Sequence, residues 1–290
     1  MEKILVTTDF SDHSKSGLRF AIQLAAQNDY HLTFLNIHHL QTPSAWDTVR
    51  LDEYQDEQKQ LIHAKLIHFI EKIYATLHKE PQHIQYAVEI SALPDDSIKY
   101  YAEENEYDYI CMSTRGTGAL KKILGSVTSN LISLSKVPLI IVPHDYKVNE
   151  VKSVLYASDL DDYEKEIIKV LSFAKPIGAS IELLNFTTEP FDEENREILK
   201  NRIEKITQYP VSVHIEERDG DDDLLKDIES VVKKIQPSVL VMFTEQNKNW
   251  FEKIFYAGHS AEYSFHTKVP LLIFRKQVEE IDFFFSINIM

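Results

Sequence analysis

The chain repeats itself. Ile4-Leu5-Val6-Thr7-Thr8-Asp9-Phe10 runs apolar, small, acidic, apolar, and Val154-Leu155-Tyr156-Ala157-Ser158-Asp159-Leu160 runs the same way 150 residues later. Leu35-Asn36-Ile37 returns as Leu184-Asn185-Phe186. Lys136-Val137-Pro138-Leu139-Ile140-Ile141-Val142 returns as Lys268-Val269-Pro270-Leu271-Leu272-Ile273-Phe274. Three matches in one order, at offsets of 150, 149 and 132 residues, mean two copies of one folding unit with a shorter last segment in the second. The length of 290 residues fits that reading at roughly 100–200 residues per domain. The first copy is expected at 1–146 and the second at 151–278, joined by the polar stretch near Asp145 to Val151. A tail at 279–290 is left over.

Within each copy, short apolar runs alternate with helical patterns. The strand candidates of the first copy are Ile4–Thr8, Leu32–His38, Ile84–Ile90, Tyr109–Met112 and Leu139–Val142. Most are continuously apolar, as strands covered on both faces of a parallel sheet must be. Ile62, Leu66, Phe69, Ile73 and Leu77 recur every three or four residues, so Leu51 to Leu77 reads as a helix with one apolar stripe. Leu18, Ala21, Ile22 and Ala25 mark another helix, and Pro94-Asp95-Asp96-Ser97 opens a third with proline and acidic residues in its first turn. Such alternation predicts βαβ units with right-handed crossovers. The last strand of each copy follows Val-Pro, which suits an edge, and an exposed apolar edge needs a partner. The two copies are therefore expected to associate through Leu139–Val142 and Leu271–Phe274, forming an internal pseudo-dimer; a further homodimer of whole chains stays open.

Composition closes off several classes. Hydrophobic residues make up 43% and charged residues 27%, ordinary for a globular chain. The single Cys111 excludes a disulfide framework, lies in an apolar strand and reads as a buried thiol. The 46 acidic residues outnumber 31 basic ones, a net charge of −15 that repels phosphate backbones and argues against a nucleic-acid partner. No apolar run approaches the ~18 residues of a membrane helix, and no signal peptide is read at Met1, so a cytoplasmic location is expected. His63 and His68 stand five apart and do not face one metal from a helix, and no metal site is read elsewhere. The tail turns from acidic Glu279-Glu280-Ile281-Asp282 to apolar Phe283-Phe284-Phe285. It is read as docked on the protein's own surface, with an intermolecular clasp or membrane contact as the alternative.

In open α/β sheets, ligands bind beyond the carboxyl ends of the strands. Asp9 stands just after the first strand and Ile37 ends the second. After the fourth comes Ser113-Thr114-Arg115-Gly116-Thr117-Gly118, closing with Gly125-Ser126-Val127-Thr128. This loop holds three of the seven glycines, which let backbone N–H groups approach an anion. Ser126 precedes the helical spacing of Val127, Leu131 and Leu134 and is placed to cap a helix whose N-terminus would favour phosphate. Arg115, Lys121 and Lys122 add positive charge. The structural alternatives are that Gly116 and Gly118 serve turns alone and that Asp9 caps a helix beginning near Ser11.

These residues resemble the universal stress protein family in its tandem form. The likeness spans nearly the whole chain and is carried by Val-Thr-Thr-Asp-Phe-Ser at 6–11, Leu-Asn-Ile at 35–37, the Gly116–Thr128 loop and Val-Pro-Leu-Ile-Ile-Val at 137–142. It implies two tandem Rossmann-like α/β domains, each a five-stranded parallel sheet of order 3-2-1-4-5. It also implies ATP or a related nucleotide in the first domain, with Mg²⁺ able to accompany it. On that resemblance the binding residues are Thr8, Asp9, Ile37, Ser113, Arg115, Gly116, Gly125, Ser126 and Val127. Asp9 matches the family's acidic residue, Ile37 the adenine-side position, Gly116 the second glycine and Gly125-Ser126 the closing pair. Two departures stand out. Ser113 replaces the first glycine, and Thr117 to Leu124 is eight residues rather than nine. Both are expected to crowd the phosphates.

The second copy departs further. It keeps Asp159, but its loop offers Glu245 and Glu252 where an anion needs donors, and bulky Trp250, Phe251, Phe255 and Tyr256. It reads as a domain that completes the internal dimer. The leading expectation is a cytoplasmic stress-response binding or regulatory protein with one nucleotide site and unidentified protein partners. A slow ATPase using the same pocket and a non-nucleotide interaction module are the alternatives. No Walker lysine motif is present. A phospho-receiver is rejected because Ile90-Ser91-Ala92 and Val142-Pro143-His144 stand where it needs Asp and Lys, and a dehydrogenase because Asp9-Phe10-Ser11-Asp12 follows the first strand.

Overall fold

The computed structural model describes residues 1–41, 48–114, 126–218, 224–244 and 268–276. The first copy runs β1 (Lys3–Thr7), α1 (Lys15–Ala25), β2 (His31–His38), α2 (Thr48–Leu77), β3 (Ile84–Ile90), α3 (Pro94–Glu104), β4 (Tyr109–Ser113), α4 (Ser126–Leu134) and β5 (Leu139–Val142). The second runs β6 (Ser153–Ala157), α5 (Tyr163–Ala174), β7 (Ser180–Thr187), α6 (Glu193–Thr207), β8 (Val211–Glu217), α7 (Leu224–Ile235), β9 (Val239–Thr244) and β10 (Leu271–Arg275). All the strands form one sheet, ordered β3-β2-β1-β4-β5-β10-β9-β6-β7-β8. Each half has the expected order 3-2-1-4-5, and every pairing within a half is parallel.

The halves meet where the edge-strand argument requires. β10 pairs antiparallel with β5, in the register Leu271 to Ile141, Leu272 to Ile140 and Ile273 to Leu139. Neither apolar edge is left bare, and among the described residues the sheet edges fall to β3 and β8. Around this seam Gln27 donates to the Val151 carbonyl at 2.9 Å and accepts from the Val151 amide at 2.8 Å. Tyr109 meets Phe173 edge-on, ring centroids 5.7 Å apart.

Two apolar layers run unbroken across both halves. One joins Phe20, Leu24, Phe34, Leu66, Ile70 and Tyr109 to Tyr156, Phe173 and Ile203. The other joins Leu5, Ile110 and Leu131 to Ile228, Leu240 and Met242. On α2 the buried residues are Ile62, Leu66, Ile70, Ile73 and Tyr74, with Phe69 and Leu77 half-buried beside them, so the sequence stripe faces the sheet. Among the described residues no helix is long and apolar enough to cross a membrane. The tail, the loop from Arg115 to Gly125 and the stretch 245–267, with its Glu245, Trp250, Phe251, Glu252, Phe255 and Tyr256, lie outside the described residues.

Candidate functional site

The first crevice is built on the exit of β1. The Thr8 amide donates to the Leu35 carbonyl at 3.0 Å, continuing the β1–β2 ladder one residue past the strand. The chain then turns sharply. Thr8 Oγ1 accepts from the Phe10 amide at 3.1 Å, and Phe10 adopts φ 63°. A left-handed conformation at a residue with a Cβ costs roughly 1–2 kcal/mol. Buried Asn36, on β2, donates through Nδ2 to the Thr8 carbonyl at 2.7 Å and staples the turn to the sheet. The second half reproduces each device. Leu160 has φ 69°, its amide donates to Ser158 Oγ at 3.1 Å, and Asn185 donates to the Ser158 carbonyl at 3.0 Å. The recurring Leu-Asn pair of the sequence is this staple.

The turn presents Asp9 to solvent at the sheet's carboxyl edge. Asp9 Oδ1 accepts from the Ser11 amide at 3.0 Å and the Ser11 hydroxyl at 2.6 Å. The carboxylate shapes its own loop and does not cap α1, which begins at Lys15 rather than near Ser11. Next to it Lys15 pairs with Asp12 at 2.5 Å, holding the Asp12 carboxyl below its ordinary value. Lys65 of α2 lies 4.2 Å from the centroid of the Phe10 ring.

Ser113 departs from expectation. Its hydroxyl turns away from the carboxyl edge and into the first turn of α1. Ser113 Oγ accepts from the Gly17 amide at 2.7 Å and from Ser16 Oγ at 3.0 Å, and donates to the Ser14 carbonyl at 3.1 Å. α1 has no side-chain N-cap of its own, because Ser14 Oγ is engaged with Thr8 Oγ1 and the Ser11 carbonyl. Ser113 supplies the missing acceptor from β4. Its hydroxyl is thus a clamp between helix and strand. Gly17 makes the close approach workable, since a Cβ there would stand 2.9 Å from Ser113 Oγ and 3.1 Å from the Met112 carbonyl carbon. Buried Cys111 completes the seam, its Sγ 3.5 Å from the Gly17 carbonyl, and burial pushes its thiol far up.

The remaining expected positions fall at the same edge. Ile37 is half-buried near the end of β2 and packs on the layer that holds Leu131 and Ile132. Val127 joins that layer from α4. Ser126 is the first described residue of α4. Thr8, Asp9, Ile37, Ser113 and Val127 therefore come from the exits of β1, β2 and β4 and the start of α4. They surround the β1–β4 boundary where the strand order reverses, the ordinary ligand position in this class of sheet. Arg115, Gly116 and Gly125 lie outside the described residues, as does the Ser126 side chain.

Sequence reasoning missed three participants. Thr114 is buried and its Oγ1 accepts from the His144 amide at 3.1 Å, fixing the point from which the glycine loop departs. His144 and His13 face one another edge-on at 5.8 Å, both exposed. Only the position of His144 directly after β5 could have marked it. Among the described residues no group of three or more His, Cys, Asp or Glu could hold a metal ion.

The equivalent crevice of the second half is filled. Lys276, directly after β10, reaches back to Asp159 Oδ2 at 2.7 Å and to Glu166 Oε1 at 3.4 Å. Tyr156 donates its hydroxyl to Glu166 Oε2 in a short hydrogen bond. Beneath them Phe243 stacks on Phe274 at 5.1 Å and meets Tyr156 at 5.6 Å. Phe243 holds on β9 the place that Ser113 holds on β4, a large side chain for a small one.

Residues 1–143 match the model described as the Universal stress protein family. Among solved structures, the chain is similar to a universal stress protein from Archaeoglobus fulgidus, at 22% identity and a TM-score of 0.67, over 94% of this chain and 98% of that one. It is also similar to a functionally unknown protein from Pseudomonas aeruginosa, at 16% identity and a TM-score of 0.58, over 95% and 92%. At these identities the likeness is one of fold. No curated protein matches the chain.

Proposed function

From a chain that belongs to the universal stress protein family, its first 143 residues matching the family model and a second half of the same topology behind them, we propose a cytoplasmic regulatory protein that binds ATP or a related nucleotide in its first domain alone. The domains are taken as 1–146 and 151–278. Asp9 and the backbone at Ile37 would flank the ribose and base. The loop from Ser113 through Arg115 and Gly116 to Gly125, with the N-terminus of α4 at Ser126 and Val127, would take the phosphates.

One observation carries this reading: two crevices built on the same turn differ in what fills them. In the second half an ammonium group bridges Asp159 and Glu166. In the first half Asp9 and His144 stand beyond the corresponding strands, and the buried polar residue of the first α1 turn is Ser16. Ser16 bonds to its own helix turn and Ser113, and the His144 ring lies against His13. The backbone frame is kept and the filling side chains are not.

The test is direct. Purified protein is denatured and the released small molecules are identified by mass spectrometry, then the emptied protein is titrated with ATP and MgATP by calorimetry. About one nucleotide per chain is expected. Gly125→Asp, which sets a carboxylate at the end of the phosphate loop, should abolish it. Two sites per chain, or unchanged affinity in Gly125→Asp, would overturn the assignment. Following bound ATP for ADP over hours separates binding from slow hydrolysis.

A further inference from the structure

The first half places small or uncharged side chains at Val6 and Ser16 and a histidine at His144. The second half places Tyr156 and Lys276 where Val6 and His144 stand, and sets a buried Glu166 in the first turn of α5. The three side chains converge on one point. Glu166 is 95% withdrawn from solvent at its side chain and Lys276 90%. A carboxylate so placed is costly unless a cation and hydrogen bonds meet it. Both are supplied. The Tyr156 hydroxyl donates to Oε2, and Ser158 Oγ lies 2.8 Å from that hydroxyl. The Oε1 atom is buried with no hydrogen bond of good geometry, and the Lys276 ammonium stands 3.4 Å from it. The opposite side of the ammonium is met by Asp159 Oδ2 at 2.7 Å, and Asp159 is oriented by the Asp161 amide at 3.1 Å from Oδ1. The Lys276 amide donates to the Thr244 carbonyl at 2.8 Å, so β10 delivers this side chain across the end of β9 to the β6–α5 turn.

We propose that the crevice of the second half is a primary-ammonium site whose ligand is the chain's own Lys276. The sheet position that takes anions in folds of this class has been converted here to hold a cation. Among the described residues, the carboxylates of Asp159 and Glu166 face it. This inference does not depend on nucleotide binding by the first half. It predicts that a vacated site accepts a small alkylammonium and not a nucleotide.

The experiment uses the full chain with Lys276→Gly, which removes the four-carbon stem and its ammonium. The melting temperature should fall by roughly 10 °C, as expected when one partner of a buried pair is removed. Adding n-butylammonium chloride, of the same length and charge as the missing side chain, should recover at least half of the loss. Sodium chloride at equal ionic strength and 1-butanol should not. An unchanged melting temperature, or equal recovery with 1-butanol, would overturn the proposal. So would a second calorimetric site for MgATP in Lys276→Gly. If that variant does not fold, the isosteric pair Glu166→Gln with Lys276→Met decides the matter. It should melt within a few degrees of the native chain, because both buried charges are gone and the half-exposed Asp159 keeps its water. A double variant that also fails to fold would refute a charge-matched site.

Discussion

Removing the Ser113 hydroxyl separates a structural serine from a lost phosphate glycine. In Ser113→Ala the Gly17 amide, in the first turn of α1, loses an acceptor at 2.7 Å. Ser16 Oγ loses a partner at 3.0 Å and the Ser14 carbonyl a donor at 3.1 Å. Leaving a buried donor unsatisfied costs about 1–3 kcal/mol, and losing a helix cap typically costs about 1 kcal/mol. We take about 2 kcal/mol, because the Ser16 hydroxyl retains the His13 carbonyl at 3.2 Å. That corresponds to a fall of roughly 4–8 °C in melting temperature for a chain of this size class. Ser113→Gly adds the cost of glycine in a strand, roughly 0.5–1 kcal/mol, and should be the less stable of the two. It also restores the family's first glycine, so a serine that crowds phosphate would reveal itself as tighter binding on its removal. Because the hydroxyl faces α1, ATP affinity in Ser113→Gly should stay within about threefold of native, under ~1 kcal/mol. Urea denaturation and calorimetric titration read the two effects separately. A native melting temperature in Ser113→Ala would refute the clamp. So would a tenfold gain in affinity in Ser113→Gly without loss of stability.

Three further outcomes follow from the same geometry. Gly17→Ala places a Cβ 2.9 Å from Ser113 Oγ and 3.1 Å from backbone at Met112, and should cost about 1–3 kcal/mol in denaturation, since the backbone cannot move aside as a side chain could; a neutral substitution would mean that α1 sits farther from β4. Truncation after Tyr146 bares β5 where β10 pairs with it, and light scattering should report a dimer of the fragment; a folded monomer would contradict the edge argument. Burial raises the Glu166 carboxyl above its ordinary 4.5, with the Tyr156 hydroxyl and Lys276 only partly opposing that. A group raised in the folded chain binds its proton more tightly there. Its contribution to stability is therefore full below about pH 4.5 and is lost as pH rises through the folded value. Glu166→Gln should flatten that part of the stability–pH curve, and parallel curves for the two proteins would refute it.

Much of the fold was legible because it rests on local pattern. Continuous apolar runs located the strands of the first copy to within a residue, and Ile84–Ile90 and Leu139–Val142 match the structure at both ends. The Val-Pro strand starts led to the antiparallel seam. The gathering of Asp9, Ile37, Ser113 and Val127 at one sheet edge was legible too, since each stands at the end of a strand or the start of a helix that the pattern located. Side-chain direction was not legible. Ser113 follows four apolar residues of β4, and nothing nearby in sequence says that its hydroxyl belongs to a helix 96 residues earlier. The start of α1 was misplaced because Asp9 and Ser11 satisfy one another in a turn that looks, in sequence, like a cap.

The sequence by itself determined that this protein is one α/β unit written twice and joined through its last strands. Duplicated hydrophobic runs leave little freedom in how they are buried, and a bare apolar edge must be covered. Only the tertiary structure decided how the two copies diverged. Lys276 meets Asp159 across 117 residues, and Glu166 and Tyr156 share a proton bond only because the β6–α5 turn folds one over the other. Such pairings are set by packing between distant elements, where the cost of an unmet charge selects the partner and no sequence period records the choice.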